Sequence, residues 1–184
     1  DHWEEAIQVA YPALDELRRQ KVIRGVSAGM NQCEMLARFA REGDFDCFLL
    51  AGRYSLLEQG ALDELFPLCQ QKNIGIMLGG HYNSGILASD LSPGAKYNYE
   101  DASPEILQRA RGIQAVAARH HVSLKAAATQ FALAHPAVTC LIPGTRVPER
   151  VVENFQAFEE NIPQAFWAEL KNERFIREEA PVPG

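Results

Sequence analysis

The sequence predicts an α/β fold in which helices cover a parallel sheet. Along the 184 residues, short apolar segments alternate with amphipathic helical segments, a pattern typical of parallel strands buried by helices. A doubly wound nucleotide-binding fold and a (β/α) barrel both have this alternation. The turn at 27–31 carries one glycine and does not match the G-x-G-x-x-G of the doubly wound fold. Four predicted strands are half of what a barrel needs, so a small α/β sheet and half a barrel both remain open.

The apolar periodicity predicts each element in chain order. The predicted strands span 22–27, 46–51, 74–78 and 138–142. The predicted helices span 3–20, 31–42, 61–72, 104–120, 124–135 and 148–159, and a last helix begins at 163. A polar loop is expected over 89–103 and a frayed tail over 180–184.

Local signals support the helix boundaries. Asn31 with Glu34 three residues later predicts an N-cap and capping box. Ser103 and Ser123 stand where further helices begin, and Pro148 suits the first position of another.

Composition argues against several classes of function. Lys and Arg number 18 and Asp and Glu 24, so the formal charge is −6, which argues against nucleic-acid and anionic-membrane partners. No apolar run approaches the roughly 18 residues of a membrane span, and the acidic start at 1–5 is not typical of a signal peptide. The four cysteines lack C-x-x-C spacing and His neighbours. We therefore expect reduced cysteines, with Cys47 and Cys140 in buried strands, a cytoplasmic protein and no metal site.

A long motif follows the last predicted strand. Residues 141–155 read L-I-P-G-T-R-V-P-E-R-V-V-E-N-F, so a strand meets a Pro-Gly turn and then a helix that carries Arg150, Glu153 and Asn154. A helix N-terminus offers N–H groups and a positive dipole end to phosphate. Arg can stack on adenine, and Glu and Asn can bond its amino group. An ordinary charged helix face also fits these residues, so both interpretations remain open.

This motif resembles the last barrel strand and following helix of the aldo-keto reductase family. In order and spacing, 22–31 resembles the fifth strand, 49–59 the sixth strand with its loop, and 76–88 the seventh strand with the loop beneath the pyrophosphate. The A-G-M-N-Q, G-R-Y-S-L-L-E-Q and N-S-G-I-L stretches are similar to the branch of aldose 1-dehydrogenases (L-fucose and D-threo-aldose types) and pyridoxal 4-dehydrogenase. The resemblance implies an α/β fold that is the C-terminal half of a TIM (β/α)8 barrel, strands five to eight with the following helices.

The resemblance also implies a site for NAD, or NADP. The implied cofactor residues are Asn31, Tyr54, Asn83, Ser84, Gly85, Ile86, Gly144, Thr145, Arg146, Arg150, Glu153 and Asn154. The loop at 83–86 would line the pyrophosphate, and His81 and Tyr82 would line the substrate pocket. Gly144 stands where NADP-preferring relatives often carry Lys, which favours NAD, whereas Arg146 suits a 2′-phosphate.

The family's catalytic Asp, Tyr, Lys and His belong to strand regions two to four, and Asp1 corresponds to the loop just after that His. The resemblance therefore implies that residues 1–184 form a partial barrel domain without the tetrad, inactive alone. The full-length protein would oxidise an aldose at C1 to a lactone, or reduce a carbonyl, with a small sugar or aldehyde as substrate. The alternative is a non-catalytic half-barrel that binds an adenine nucleotide or pairs with a partner half, and its open sheet edges predict self-association.

Overall fold

The structure is a computed structural model that describes residues 2–184. Its main sheet is parallel and consists of β1 (Ser27–Met30), β2 (Cys47–Ala51), β3 (Gly75–Gly79) and β6 (Val138–Ile142). An antiparallel pair consists of β4 (Lys96–Tyr97) and β5 (Glu100–Asp101). The helices are α1 (Trp3–Glu5), α2 (Tyr11–Arg19), α3 (Cys33–Glu42), α4 (Leu65–Lys72), α5 (Pro104–Arg119), α6 (Leu124–Ala134), α7 (Glu149–Glu159) and α8 (Gln164–Asn172). A π-helical segment, Ala6–Ala10, joins α1 to α2. The predicted α/β class is confirmed.

The strands of the main sheet lie side by side in chain order, β1-β2-β3-β6. A doubly wound sheet reverses its strand order at a switch point, and these strands show no such reversal within residues 2–184. Successive β/α units of a barrel have the observed order. The doubly wound alternative is therefore set aside. Between β3 and β6 the register shifts at Ile76 and Met77.

Within the described chain, the helices cover one face of the main sheet. The side chains of Phe48, Leu50, Ile76 and Leu78 lie on the covered face and are fully buried in the hydrophobic core. Residues at the alternate positions form what we call the uncovered face, where side chains are exposed or half-buried. Its members are Ser27, Gly29, Cys47, Leu49, Ala51, Gly75, Met77, Gly79, Cys140 and Ile142.

The uncovered face changes one expectation for the cysteines. All four are free, but Cys140 is exposed and Cys47 is half-buried, whereas both were expected in buried strands. The prediction for Cys140 is wrong because β6 is an edge strand and this residue lies on the face that no helix of residues 2–184 covers.

The segment before β1 is not the strand predicted over 22–27. The N–H of Val22 donates to the carbonyl of Leu17 at 3.0 Å, which continues the end of α2, and Val22 is 67% exposed. Only at Val26 does the chain join the sheet region, where its N–H donates to the Asp46 carboxylate at 2.7 Å. The strand therefore begins at Ser27, the last residue of the predicted strand.

The capping box predicted at Asn31 is also wrong. The helix begins at Cys33 and its N-cap is Gln32, whose side chain makes no capping hydrogen bond. Asn31 precedes the cap and is exposed, so its side chain is one residue too early for the role. The caps at Ser103 and Ser123 are confirmed, because each hydroxyl accepts the expected backbone N–H.

Three further boundaries differ from the prediction. The helix predicted over 61–72 begins at Leu65 after a short 3-10 turn. Pro148 is the N-cap residue of α7 rather than its first helical residue. The end of the chain is not frayed, because Ala180 is 1% exposed and Val182 packs against the hydrophobic core.

Candidate functional site

Two cavities open where the parallel strands end, the edge at which α/β folds place their ligands. The strand-end cavity has a volume of about 520 Å3 and lies over the ends of β1, β2 and β3. The helix-side cavity has a volume of about 420 Å3 and lies between the end of β6, α6 and α7. The loop after β3 separates them, since Gly80, Asn83 and Ser84 line the first while His81 and Tyr82 line the second. Residues of one short loop therefore line both cavities.

The strand-end cavity contains three of the predicted cofactor residues, Asn31, Asn83 and Ser84. Asn83 is 2% exposed and is held from two sides. Its Oδ1 accepts a hydrogen bond from Ser55 Oγ at 2.5 Å, and its Nδ2 donates to the Gly52 carbonyl at 3.2 Å. The Asn83 side chain thus links the loop after β3 to the loop after β2 through two hydrogen bonds.

Two glycines let these loops approach each other closely. Gly52 and Gly80 have φ values of 67° and 65°, in the left-handed region that favours glycine. The Gly52 N–H donates to the Gly79 carbonyl at 2.8 Å. A Cβ built on Gly80 would lie 3.1 Å from the backbone N of Gly52. The floor of the strand-end cavity therefore depends on glycine at this crossing.

The loop at 83–86 uses most of its own N–H groups. Asn83 N–H donates to the Gly80 carbonyl at 2.8 Å, Gly85 N–H to the Tyr82 carbonyl at 3.0 Å, and Ile86 N–H to the Asn83 carbonyl at 3.4 Å. Ile86 is 1% exposed and packs in the hydrophobic core. Of the four residues predicted to line a pyrophosphate, Asn83 and Ser84 face the cavity. Gly85, with φ of 97°, shapes the turn.

The β4–β5 hairpin lies within the predicted polar loop at 89–103 and extends over the strand-end cavity. Asn98 and Tyr99 form its tip with φ values of 51° and 69°, as a two-residue hairpin turn requires. Arg53 Nη1 donates to Asn98 Oδ1 at 3.0 Å, and the Tyr97 hydroxyl donates to the Glu58 carboxylate. Burial, reinforced by that carboxylate, raises the pKa of Tyr97. Asn98 could have indicated this turn in the sequence, because Asn tolerates a left-handed φ.

The helix-side cavity has apolar walls and a polar base. Its apolar side chains are Leu133, Leu141, Pro143, Val151, Phe155 and Phe158. At its base the Tyr82 hydroxyl lies 2.9 Å from Thr129 Oγ1 and donates to Asn154 Oδ1 at 3.5 Å. Burial raises the pKa of Tyr82, although the Thr129 hydrogen bond opposes this, so the phenol stays protonated. Thr129 is not among the predicted site residues, and the signal that could have indicated it is a hydroxyl on the apolar side of α6.

His81 is the most unusual polar group of this cavity. It is 1% exposed, and its ring packs on the Tyr82 ring with centroids 4.0 Å apart. Neither ring nitrogen has a hydrogen-bond partner among residues 2–184. Burial lowers the pKa of His81 to about 4, so the imidazole is neutral at physiological pH. His81 and Tyr82, predicted to line a substrate pocket, thus share a cavity with Thr145 and Asn154.

The residues predicted to meet adenosine are only partly brought together. Thr145 and Asn154 line the helix-side cavity. Glu153 instead pairs with Lys125 Nζ at 3.2 Å, on the side of α7 that faces α6. The remaining predicted residues are exposed in the turn and at the start of α7: Gly144, Arg146 and Arg150.

The prediction for Tyr54 is corrected by its position. Its side chain is fully buried, stacks on Phe131 with ring centroids 5.2 Å apart and meets Phe66 edge-on at 4.7 Å. Burial raises the pKa of this phenol. The residue is therefore part of the core between α4 and α6, and it is excluded from the candidate site.

Within residues 2–184, no three His, Cys, Asp or Glu side chains lie close enough together to hold a metal ion. Over the same range, no helix combines the length and apolar character that crossing a membrane requires.

The family model described as "Aldo/keto reductase family" matches residues 1–173. The chain is 40% identical over 166 residues to pyridoxal 4-dehydrogenase of Microbacterium luteolum, with 90% of this chain and 48% of that protein covered. It is 36% identical over 172 residues to D-threo-aldose 1-dehydrogenase of a Pseudomonas species, with 93% and 52% covered. The chain thus spans about half the length of these relatives.

Among solved structures, an aldo-keto reductase from Bacillus halodurans in its holo form matches with a TM-score of 0.72 and 19% identity. The match covers 96% of this chain and 58% of that one. At this identity the likeness supports the fold alone, and it agrees with the observed parallel sheet and its helices.

Proposed function

The chain belongs to the aldo/keto reductase family, and on that premise we propose that it provides the nucleotide-binding half of an NAD(P)-dependent oxidoreductase. The predicted resemblance to the family and to its aldose dehydrogenase branch is confirmed by the two relatives. The observation that carries the proposal is the pair of neighbouring cavities that are both lined by the loop after β3. A dinucleotide is an elongated ligand with a base at each end and a pyrophosphate between them.

The linings of the two cavities differ, and each lining suits a different part of a dinucleotide. The helix-side cavity has apolar walls, with Thr145 and Asn154 as polar groups, and suits adenosine. Arg146 is exposed and follows Thr145 in the chain. Its guanidinium is therefore placed to contact a ribose hydroxyl or a 2′-phosphate. The strand-end cavity is lined by Asn31, Asn83 and Ser84 and receives the pyrophosphate and nicotinamide. NAD is the proposed cofactor, with NADP as the other candidate.

A bound nicotinamide would supply hydride chemistry in the full-length barrel, either for oxidation of an aldose at C1 to a lactone, with the hydroxyl proton going to a base of the other half, or for the reverse reduction of a carbonyl. The substrate is a small sugar or aldehyde, in line with the names of the two relatives. We propose a cytoplasmic location. The residues of this chain bind and orient the cofactor, and the acid–base groups belong to the other half of the barrel.

The half-barrel interpretation rests on three features of the sheet. Its strands follow one another in chain order, its outer strands β1 and β6 have no neighbour beyond them within residues 2–184, and one face is uncovered. Parallel sheets in α/β proteins are covered on both faces. We propose that residues 1–184 are strands five to eight of a (β/α)8 barrel with their helices, and that the other four strands cover the uncovered face.

Binding of the reduced cofactor tests the proposed function. We expect the 184-residue chain to bind NADH, seen as increased nicotinamide fluorescence. Asn154→Leu should weaken this binding about tenfold because it removes a polar contact to the base. Gln156→Leu, on the exposed side of α7, is the matched control and should bind normally.

The same preparation tests whether the isolated chain lacks catalytic activity. The chain alone should not reduce NAD or NADP when aldoses or pyridoxal are added. Failure of the folded chain to bind either NADH or NADPH would overturn the nucleotide assignment. Turnover by the isolated chain would overturn the assignment of the catalytic groups to the other half.

A non-catalytic role remains the second candidate because apolar side chains are exposed at both flanks of the sheet. On the π-helical segment and α2, Val9 is 66% exposed and Leu14 is 39% exposed. On α7, Val152 is 59% exposed. Monomers rarely leave such groups uncovered beside open strand edges. These flanks fit a partner half or a second copy of the chain.

We expect the isolated chain to self-associate through these flanks. Light scattering after size-exclusion chromatography should show a dimer or larger species at micromolar concentration. Val152→Lys should shift the population toward monomer, because a charge cannot be buried there unpaired. Gln70→Lys, exposed on α4 over the middle of the sheet, should leave the association unchanged. A monodisperse wild-type monomer would contradict the pairing proposal.

A further inference from the structure

A third cavity, the α8-end cavity, lies between α5, the end of α8 and the chain that follows it. Its volume is about 460 Å3, and it shares no lining residue with the strand-end cavity or the helix-side cavity. Four of its side chains are cationic, namely Arg109, Lys171, Arg174 and Arg177. Of the described residues that line it, Glu178 alone is acidic, although the whole chain has a formal charge of −6. Positive charge is thus concentrated here in an acidic chain.

The chain after α8 is held against α5 by close packing and hydrogen bonds. The Phe175 ring lies so close to Gly112 of α5 that no Cβ fits there. The Phe175 carbonyl accepts hydrogen bonds from Arg109 Nη2 at 2.7 Å and from Gln59 Nε2 at 3.4 Å. The Arg177 N–H donates to Gln59 Oε1 at 2.7 Å. The cations of the α8-end cavity are therefore carried by a well-packed framework.

Three of the four cations have no carboxylate partner. Within residues 2–184, Arg109, Lys171 and Arg174 form no salt bridge. Arg109 and Lys171 each donate to a single backbone carbonyl, that of Phe175 or of Glu178. An arginine has five N–H donors and a lysine three, so both side chains keep donors for a further acceptor. Like charges that lie together without counter-charges favour the binding of an anion.

Arg174 is the exposed member of this group. It follows α8 with φ of 60°, and its side chain makes no hydrogen bond within residues 2–184. Glycine and asparagine are the residues preferred in this left-handed position, so the local backbone gives no reason for an arginine. Arg177 differs, because it pairs with Asp63 and lies 3.7 Å from Glu179. Arg109, Lys171 and Arg174 therefore provide the uncompensated charge.

We propose that the α8-end cavity binds a small anion that carries two or more phosphate groups. The planar guanidinium groups match phosphate oxygens, and the lysine ammonium adds a point charge. The cations come from α5, from α8 and from the chain after it, so they suit an anion with more than one charged group. Of the described lining residues, Ile176 alone is apolar, which does not suit an apolar ligand. The proposal does not depend on the proposed function.

Titration calorimetry of the 184-residue chain with pyrophosphate tests the proposal. We expect Arg174→Gly to weaken the binding about tenfold, with a thermal unfolding midpoint that is unchanged or higher because glycine suits the left-handed position. Arg174→Lys keeps the charge and should retain part of the affinity. Lys21→Gly is the matched control, since Lys21 is also an exposed cation that follows a helix, with φ of 62°. It should leave pyrophosphate binding unchanged.

Amide resonances locate the bound anion, because pyrophosphate could also enter the strand-end cavity. Resonances of residues 171–178 should shift when pyrophosphate is added, and inorganic phosphate should bind more weakly. The proposal would be overturned by a wild-type chain that binds no pyrophosphate, by equal losses in Arg174→Gly and Lys21→Gly, or by shifts confined to 83–86. Equal affinity for phosphate and pyrophosphate would contradict an occupant with two phosphate groups. NADH binding is measured separately, so the proposed function is judged on its own.

Discussion

Acidification from about pH 7 to about pH 4.5 is expected to destabilise the fold by several kcal/mol. Two buried histidines are the cause, since burial lowers the pKa of His81 and of His135 to about 4 in each case. An unfolded chain protonates its histidines near pH 6.5. Between these values the unfolded state binds more protons, so the stabilisation is complete above about pH 6.5 and is lost as the pH falls toward 4. Each histidine contributes on the order of 2–3 kcal/mol.

Urea unfolding midpoints measured across this pH range check the prediction. His135→Leu removes one titrating group and should make the pH dependence shallower, even though it also loses the hydrogen bond from Ala137 N–H to His135 Nδ1. The slope, rather than the absolute stability, is therefore the readout. His2→Gln is the control, because His2 is exposed, and it should leave the slope unaltered. A wild-type stability that does not change between about pH 6.5 and 4.5 would refute the prediction.

The second large effect is expected from Gly80→Ala. The added methyl would lie 3.1 Å from the Gly52 nitrogen and 3.3 Å from its Cα, both rigid backbone atoms, and φ at this position is 65°. Left-handed strain and the close contact together should cost about 2–4 kcal/mol. Because the same crossing forms the floor of the strand-end cavity, NADH binding should weaken as well.

Two further glycines separate the contributions to this loss. Gly94 has φ of 89° but nothing within 4 Å of an added Cβ, so Gly94→Ala reports strain alone. Gly60 has neither a positive φ nor a close neighbour, so Gly60→Ala should be nearly neutral. Thermal unfolding of the three variants gives the comparison. Equal losses for Gly80→Ala and Gly94→Ala would show that the approach to Gly52 does not matter.

The parts of the fold that the sequence predicts are those governed by local patterns. The apolar runs at 46–51, 74–78 and 138–142 became β2, β3 and β6 to within one residue, because burial on the covered face requires apolar side chains. Ser103 and Ser123 became caps because a short hydroxyl next to a helix start satisfies a free N–H.

The parts that could not be predicted depend on partners distant in sequence. Val22 is a β-branched residue typical of strands, but its N–H continues the hydrogen bonding at the end of α2. The chain reaches the sheet only where the Val26 N–H donates to the Asp46 carboxylate. Tyr54 matched a cofactor motif, whereas its ring is buried against Phe131, which lies far along the chain.

The candidate site follows the same division. The family resemblance of the motif at 141–155 implied Thr145 and Asn154 as site residues, and both line the helix-side cavity. Glu153 instead forms an ion pair with Lys125 of α6. This pair depends on how α6 and α7 pack together. His81 and Tyr82 could be selected from the sequence as pocket residues, but which cavity they line depends on how the loop after β3 turns.

The uncovered face also sets a volume requirement. By register, its residues form rows across the sheet, and the row nearest the strand starts is Ser27, Cys47 and Gly75, none of them bulky. The row at the strand ends consists of Ala51, Gly79 and Ile142, of which only Ile142 is bulky. A barrel interior is packed with side chains rather than hollow. Strands that close this sheet into a barrel must therefore bring large branched or aromatic residues opposite these two rows, which restricts the sequences that can complement this chain.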